Sequence, residues 1–211
     1  MTRIKICGIT NRKEIGFLNK YQPEYAGFVF AKSRRQVSVE QAAELVTELA
    51  PVVKRVGVFV DDDVEQVAAI AESAGLDAVQ LHGNENGQYT RVLRSLLKPG
   101  TEIWKALRMD EEHLPVYELL SSMDIDRLLL DTYVEGSNGG SGKCFDWRLV
   151  SKLETTLPIV LAGGLNPGNV KQAIGQISPY AVDTSSGVES DGVKDEQKLK
   201  AFIEAVRGGE I

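Results

Sequence analysis

The chain has 211 residues, of which 43% are hydrophobic and 26% are charged, and its formal net charge is −6. These values are ordinary for a soluble globular protein, and no apolar run approaches the roughly 18 residues that a membrane span needs. The acidic balance argues against nucleic acid as a partner, because phosphate-backbone binding depends on an excess of Lys and Arg. A small anion can still bind where backbone N–H groups and one or two basic side chains concentrate positive potential.

The N-terminus, "MTRIKICGIT", enters a strand pattern without the apolar core and cleavage site of a signal peptide. We therefore expect a cytoplasmic protein with no membrane partner. The two cysteines, Cys7 and Cys144, lie far apart in sequence and show neither C-x-x-C nor His/Cys metal spacing. We expect both to be free thiols, and we expect no metal site.

Eight short apolar runs follow one another along the chain, separated by stretches of helical period. Most of these runs are apolar at successive positions, which is typical of strands covered on both faces in a parallel sheet. In chain order they are "RIKIC", "YAGFVF", "RVGVFV", "AVQLH", "EIWKAL", "RLLLD", "IVLAG" and "YAVDT".

The intervening stretches carry the signals of helices. Ser38 with Gln41 forms a capping-box pattern, Gly75 marks a helix end, and Asn166 before Pro167 predicts the cap of a later helix. Apolar residues spaced i, i+3, i+4, i+7 predict one buried stripe on each of three helices. The stripes are Ala42, Leu45, Val46 and Leu49; Tyr89, Val92, Leu93 and Leu96; and Leu199, Phe202, Ile203 and Val206.

Eight β-then-α units without a linker predict a (β/α)8 TIM barrel, forming a single domain over residues 1–211. An open doubly wound sheet is the alternative, since counting strands does not prove closure. In such a barrel the active site lies at the C-terminal ends of the strands. The residues there are Cys7, Arg35, His82, Arg108, Asp131, Gly163 and Gly164, and Asp183 to Gly187.

Two glycine-containing motifs follow the last two predicted strands. "AGGLNPGNV" places Gly163 and Gly164 before a helix, and "DTSSGVE" places Ser186 and Gly187 after the last strand. Tight turns alone would explain either motif. Together, at the two strand ends where barrels commonly bind phosphate through backbone N–H groups, they indicate a phosphate ligand.

Each candidate catalytic residue has a structural and a functional interpretation. Cys7 is an inert core residue, or a base whose thiol pKa is modestly lowered. Asp131 is a paired structural carboxylate, or a partly desolvated acid that donates a proton. Arg35 is a surface charge or a carboxylate-binding fork, a role that Arg34 could also fill. His82 is more often a packed strand-end residue than a catalyst.

Nine motifs resemble those of the phosphoribosylanthranilate isomerase family, in family order over nearly the whole chain. They are "KICGIT", "GFVF", "SRR", "VGVFV", "QLHG", "LLDT", "GGSGKCFDW", "AGGLNPGNV" and "SSGVE". The chain departs from the family pattern at Thr184, where valine is usual, and at Cys144 within "GGSGKCFDW". Neither departure falls on a catalytic position of the family.

The resemblance implies a (β/α)8 enzyme of tryptophan biosynthesis that needs neither a metal nor an organic cofactor. Such an enzyme is an aldose–ketose isomerase that catalyses an Amadori rearrangement of N-(5-phosphoribosyl)anthranilate to 1-(2-carboxyphenylamino)-1-deoxyribulose 5-phosphate. The resemblance implies that Asp131 is the general acid, Cys7 the general base and Arg35 the ligand of the anthranilate carboxylate. Phosphate would bind at Gly163, Gly164, Ser186 and Gly187, and we expect Asp183 and His82 as further substrate contacts.

The stretch "GSNGGSGK" follows Asp131 and is predicted to be a mobile flap that closes over the substrate. Gly139, Gly140 and Gly142 would be its hinges or close-approach positions. A long solvent-exposed connector is the alternative.

Other functions of related barrels fit the residues less well. Indole-glycerol-phosphate synthase should show a lysine acid/base set and an N-terminal extension, and a histidine-pathway isomerase should show Asp in place of Cys7. A non-catalytic phosphosugar-binding barrel stays open as an alternative, and the sequence leaves monomer and homodimer equally open.

Overall fold

The protein is described by a computed structural model over residues 1–108, 122–131, 150, 153 and 155–208. Eight parallel strands form a closed barrel in chain order, and β1 pairs with both β2 and β8, which confirms the predicted barrel and excludes the open sheet. Every predicted strand is present, with each end within about one residue of its prediction. The strands are β1 Arg3–Cys7, β2 Tyr25–Val29, β3 Lys54–Phe59, β4 Ala78–Leu81, β5 Glu102–Arg108, β6 Arg127–Asp131, β7 Ile159–Ala162 and β8 Ala181–Thr184.

Six α-helices in the described ranges connect these strands and cover the barrel. They are α1 Arg12–Tyr21, α2 Val39–Glu48, α3 Val64–Ser73, α4 Gly87–Leu96, α5 Val170–Ile177 and α6 Glu196–Arg207. The segments after β5 and β6 fall largely in residues 109–121 and 132–149, outside the described part. Within that part, no helix combines the length and the apolar character needed to cross a bilayer.

The predicted helix ends are confirmed at two places and wrong at one. Ser38 and Gln41 form both hydrogen bonds of a capping box, and α3 ends just before Gly75. The predicted cap Asn166 does not cap α5, whose N-cap is Asn169. Asn166 instead accepts a 2.9 Å hydrogen bond from the N–H of Gly168, because its side chain closes a turn ahead of the helix.

The predicted stripe on α4 is also partly wrong. Leu93 is fully buried, but Val92 and Leu96 are 39% and 46% exposed. Thr90 is buried in their place, donating to the carbonyl of Gly87 and accepting from the N–H of Asp124. The face of α4 that carries Thr90 and Leu93 therefore packs inward. The stripe on α6 is confirmed at Leu199, Phe202 and Ile203.

Side-chain alternation along the strands separates an inner and an outer core. The barrel interior holds a cluster of Tyr25, Val56, Ala78, Trp104, Ala106, Leu129, Val160, Ala162 and Ala181. Along β1, Ile4 and Ile6 join the larger outer core between strands and helices. Lys5 and Cys7 therefore lie on the inward face of the same strand.

Polar and aromatic side chains close the N-terminal end of the barrel. The hydroxyls of Tyr25 and Tyr180 are 2.8 Å apart, and Arg127 donates to both Tyr180 and Glu102 at 3.0 Å. The guanidinium groups of Arg3 and Arg127 lie 4.2 and 3.9 Å from the centre of the Tyr180 ring. Because this end is filled, the C-terminal end is the place for a ligand.

Candidate active site

A cavity of about 440 Å³ opens at the C-terminal end of the barrel. It brings together nine of the residues that the sequence singled out: Cys7, Arg35, His82, Asp131, Gly163, Gly164, Asp183, Ser186 and Gly187. Arg34 lines it as well. The predicted flap glycines, Gly139, Gly140 and Gly142, lie outside the described residues.

A buried ion pair lies beneath the Cys7 side of the cavity. Lys5 is fully buried, and its Nζ donates to Asp183 Oδ2 at 2.8 Å across the β1–β8 pair. Burial by itself would lower the pKa of Lys5, but attraction to Asp183 and Cys7 outweighs it and raises that pKa. Burial raises the pKa of Asp183, an effect that Lys5 opposes. Lys5 is therefore a cation inside the barrel.

The surroundings of the Cys7 thiol raise its pKa, whereas the interpretation of Cys7 as a base requires a lowered one. Burial raises the pKa of Cys7, the carboxylate of Asp183 adds to this, and the cations Lys5 and Lys194 oppose it. Of the two interpretations of Cys7, a modestly lowered thiol pKa has no support in the described structure, because desolvation by the barrel walls outweighs the nearby positive charges.

Asp131 belongs to a chain of polar side chains that begins inside β4. His82 Nε2 lies 3.2 Å from Asp131 Oδ2, and Gln80 Nε2 lies 3.1 Å from His82 Nδ1. The side chain of Asp131 is 21% exposed, toward the cavity. His82 therefore orients the carboxyl group of Asp131, and Gln80 orients the ring of His82.

Two buried acceptors line the cavity without a partner among the described residues. They are Gln80 Oε1 and Asp183 Oδ1. Burying an oxygen of this kind is costly unless a ligand or water donates a hydrogen bond to it. The cavity wall is therefore suited to a ligand that carries hydroxyl groups.

Arg35 is held by a carboxylate that the sequence analysis did not consider. Glu189 accepts from Arg35 Nε at 2.7 Å and Nη2 at 2.8 Å, and it accepts from Arg34 and Lys194 at 2.7 Å each. Burial would raise the pKa of Glu189, but hydrogen bonds from Arg35 and Lys194 outweigh burial and lower it to about 2. With three cations around one carboxylate, this wall of the cavity carries net positive charge.

The loops after β7 and β8 meet at the far side of the cavity. Gly163 and Gly164 have φ values of 84° and 65°, which other residues adopt rarely. A Cβ at Gly187 would overlap the carbonyl oxygen of Leu165. Thr184 donates a 2.7 Å hydrogen bond to that same oxygen, so its hydroxyl, where valine is usual, ties the two loops together.

A short hairpin carries two of the residues that the sequence reasoning missed. After a 3₁₀ turn at Ser186–Val188, β9 Glu189–Ser190 pairs antiparallel with β10 Val193–Lys194. Glu189 is the last residue of the motif "SSGVE", whereas the sequence around Lys194 contains no pattern that predicts a site residue. Lys5 could have been found, because a residue two positions before Cys7 shares its face of the strand.

Comparisons with known proteins agree with this geometry. The family description "N-(5'phosphoribosyl)anthranilate (PRA) isomerase" matches residues 4–205. The N-(5'-phosphoribosyl)anthranilate isomerase of Acetivibrio thermocellus is 50% identical over 98% of this chain and 96% of its own. That of Thermoanaerobacter pseudethanolicus is 44% identical over 99% of both chains.

Solved structures give the same result. Phosphoribosyl anthranilate isomerase from Thermotoga maritima superimposes with a TM-score of 0.85 at 39% identity, covering 99% of this chain and 100% of that one. A structure of phosphoribosyl anthranilate isomerase in complex with reduced 1-(o-carboxyphenylamino)-1-deoxyribulose 5-phosphate gives a TM-score of 0.81 at 36% identity. It covers 99% of this chain and 100% of that one. The chain is an isomerase and belongs to the N-(5'-phosphoribosyl)anthranilate isomerase family.

Proposed function

We propose that the cavity catalyses the Amadori rearrangement of N-(5-phosphoribosyl)anthranilate in tryptophan biosynthesis, with Asp131 as general acid and Cys7 as general base. The observation that carries the proposal is the convergence of both groups on one cavity, from β1 and β6, together with an arginine wall and two glycine-containing loops. The solved relative that holds a reduced carboxyphenylamino-deoxyribulose phosphate supports a ligand with the same two anionic ends.

The two anionic ends of the substrate would be bound by different means. Backbone N–H groups at Gly163, Gly164, Ser186 and Gly187 would hold the phosphate, as the loops after strands seven and eight do in many barrels. Arg35 would hold the anthranilate carboxylate. Because Glu189 occupies its Nε–Nη2 edge, the substrate carboxylate would meet the guanidinium group from the Nη side.

The first step would open the sugar ring. Asp131 transfers a proton to the ring oxygen, the bond from C1 to that oxygen breaks, and the nitrogen lone pair forms the C=N bond of a protonated Schiff base. Contact with His82 Nε2 at 3.2 Å keeps the donor oriented for this transfer.

The second step would move the double bond. The Cys7 thiolate takes the proton from C2, the electron pair of that C–H bond forms the C1=C2 bond, and the π pair of the C=N bond returns to nitrogen to give a neutral enolamine. The enolamine becomes the ketone when C1 gains a proton and the C2 hydroxyl loses one. These two transfers return Cys7 and Asp131 to their starting states, so each is ready for another turnover.

The test follows the fluorescence of freshly generated phosphoribosylanthranilate as the enzyme consumes it. We expect rapid turnover in the wild type, and a loss of about 10²- to 10⁴-fold or more in kcat for Cys7→Ser and for Asp131→Asn. Isotope exchange at C2 should disappear in Cys7→Ser. Unchanged variants would refute the assigned roles, and a wild type that binds the product analogue without turning over substrate would favour the non-catalytic phosphosugar-binding barrel.

A further inference from the structure

The proposed mechanism gives no part to Lys5, although it is a cation buried deep in the barrel. Its side chain has no exposed surface, and its Nζ is 2.8 Å from Asp183 Oδ2. Burying an ammonium group is costly even when it is paired. An apolar side chain at the same point of the interior would avoid this cost, so the charge calls for an explanation beyond packing.

We propose that Lys5 is a positioning residue for catalysis, whose buried positive charge on the same face of β1 stabilises the thiolate of Cys7. The inference rests on the proposed function, in which Cys7 is the base. Lys5 does not line the cavity, so it acts on the reaction through the sulfur of Cys7 and not through the substrate.

The geometry of β1 and β2 brings the two side chains together. Lys5 and Cys7 alternate with outward-facing residues on β1 and therefore share its inward face. Gly27 is the register partner of Cys7 on β2, and a Cβ there would lie 2.9 Å from the Cys7 sulfur. The sulfur thus packs against bare backbone on one side, with Lys5 beneath it and the cavity above.

The charged groups around the sulfur have opposing effects. Among the charged groups that lower the pKa of Cys7, Lys5 has the largest effect, and Lys194 acts in the same direction. Asp183 raises that pKa, and its carboxylate also holds the ammonium group of Lys5 in place. The charge of Arg35 interacts with the Cys7 sulfur as well. Since burial already disfavours the thiolate, losing Lys5 would raise the pKa of Cys7 further and make the thiolate scarcer still.

The experiment measures how fast iodoacetamide alkylates Cys7 as a function of pH, in a Cys144→Ser background that leaves one thiol. For Lys5→Met, we expect alkylation at neutral pH to slow by about tenfold or more, and the ascending limb of the kcat–pH profile to move to higher pH. Asp183→Asn should do the opposite to alkylation, because it removes the negative charge and leaves Lys5. A purely structural role of Lys5 would move neither pH profile.

Lys105→Met is the matched control, because Lys105 is another buried lysine whose Nζ lies 2.8 Å from a carboxylate, that of Glu85. It should leave the alkylation profile of Cys7 unchanged. If Lys5→Met does not fold, the double variant Lys5→Met/Asp183→Asn removes both charges. It should be alkylated more slowly than Asp183→Asn, the variant that differs from it by keeping Lys5.

Alkylation of Lys5→Met at the wild-type rate, or of the double variant at the rate of Asp183→Asn, would overturn the inference. That result is separate from a failure of the proposed function. If Cys7→Ser keeps full turnover, Cys7 is not the base, whatever Lys5 does to its pKa.

Discussion

At the scale of single residues, Glu189 organises the wall of the cavity that faces the anthranilate end of the proposed substrate. Its side chain is 5% exposed and bonds to Arg34, Arg35 and Lys194. The side chain of Arg34 is 59% exposed and that of Arg35 only 21%, so Arg35 is the more deeply buried of the two arginines. Glu189 accepts two hydrogen bonds from Arg35 and one from Arg34, and the proposal therefore assigns the substrate carboxylate to Arg35.

Glu189→Gln should weaken substrate binding more than it slows chemistry. The neutral amide offers one acceptor and places N–H groups against the donors of Arg35, so the guanidinium group loses its fixed orientation. Arg35 contacts a part of the substrate that does not react, and we expect KM to rise by about tenfold with a smaller change in kcat. Steady-state kinetics with phosphoribosylanthranilate measures both constants.

Glu102→Gln is the control for this substitution. Glu102 also bonds to an arginine, Arg127 at 3.0 Å, but it lies at the closed N-terminal end of the barrel. We expect that variant to keep the wild-type KM. An equal rise in KM for both variants, or none for Glu189→Gln, would argue against a positioning role for Glu189.

At the scale of elements, the loops after β7 and β8 are built around each other. Leu165 belongs to the first loop, and its carbonyl oxygen accepts from Thr184 and lies against Gly187. The residues assigned to the proposed phosphate site all lie in these two loops. Its width therefore depends on how closely they approach.

Gly187→Ala should widen this site. The added methyl would overlap the backbone of Leu165, which cannot move aside as a side chain can, so the loops must separate at a cost of about 1–3 kcal/mol. We expect a several-fold rise in KM and a matching loss of inhibition by inorganic phosphate. Competition between phosphate and substrate, followed by fluorescence, measures both.

The matched control is Gly175→Ala within α5. A Cβ at Gly175 meets nothing within 4 Å, and alanine in a helix interior is favoured over glycine by about 0.5–1 kcal/mol. This variant should keep its KM and unfold at slightly higher temperature. If Gly187→Ala behaves like Gly175→Ala, the close approach of the two loops does not set phosphate affinity.

At the scale of the whole molecule, the strands were predictable to within about one residue, whereas the site electrostatics were not. A strand that is covered on both faces is apolar at successive positions, so its place in the sequence can be recognised, as "RLLLD" and β6 illustrate. The pairs Lys5–Asp183 and Arg35–Glu189 join residues 178 and 154 positions apart, and only closure of the barrel brings them together. The pKa of Cys7 depends on that closure as well.

The predicted flap lies outside the described residues and rests on its glycine-rich sequence and on the family resemblance. Gly139, Gly140 and Gly142 stay predicted hinges, and the single domain over residues 1–211, the cytoplasmic location and the choice between monomer and homodimer stay predictions. The fold itself needed fewer assumptions, because local apolar pattern and chain order together specify a barrel.

The free energy of unfolding of the barrel should depend on pH through the ionisation of Glu189. The pKa of Glu189 is about 2 in the folded protein, against about 4.3 for an unperturbed Glu side chain. Between these pH values Glu189 becomes protonated in the unfolded chain but stays ionised in the folded protein. The free energy of unfolding therefore decreases as the pH falls. The contribution of Glu189 is complete above the unfolded pKa and is lost as the pH drops through the folded one.

Urea unfolding of the wild type and Glu189→Gln at a series of pH values measures this contribution as a difference. The gap in unfolding free energy between the two proteins should be widest near neutral pH and should narrow steadily below about pH 4.3. Taking the difference removes the pH-dependent contributions that other carboxylates make to both proteins. Asp77 is one of these, since hydrogen bonds from Arg55 outweigh its burial and lower its pKa. A gap that stays constant down to the acid limit would mean that the three cations hold Glu189 by packing alone and not by its charge.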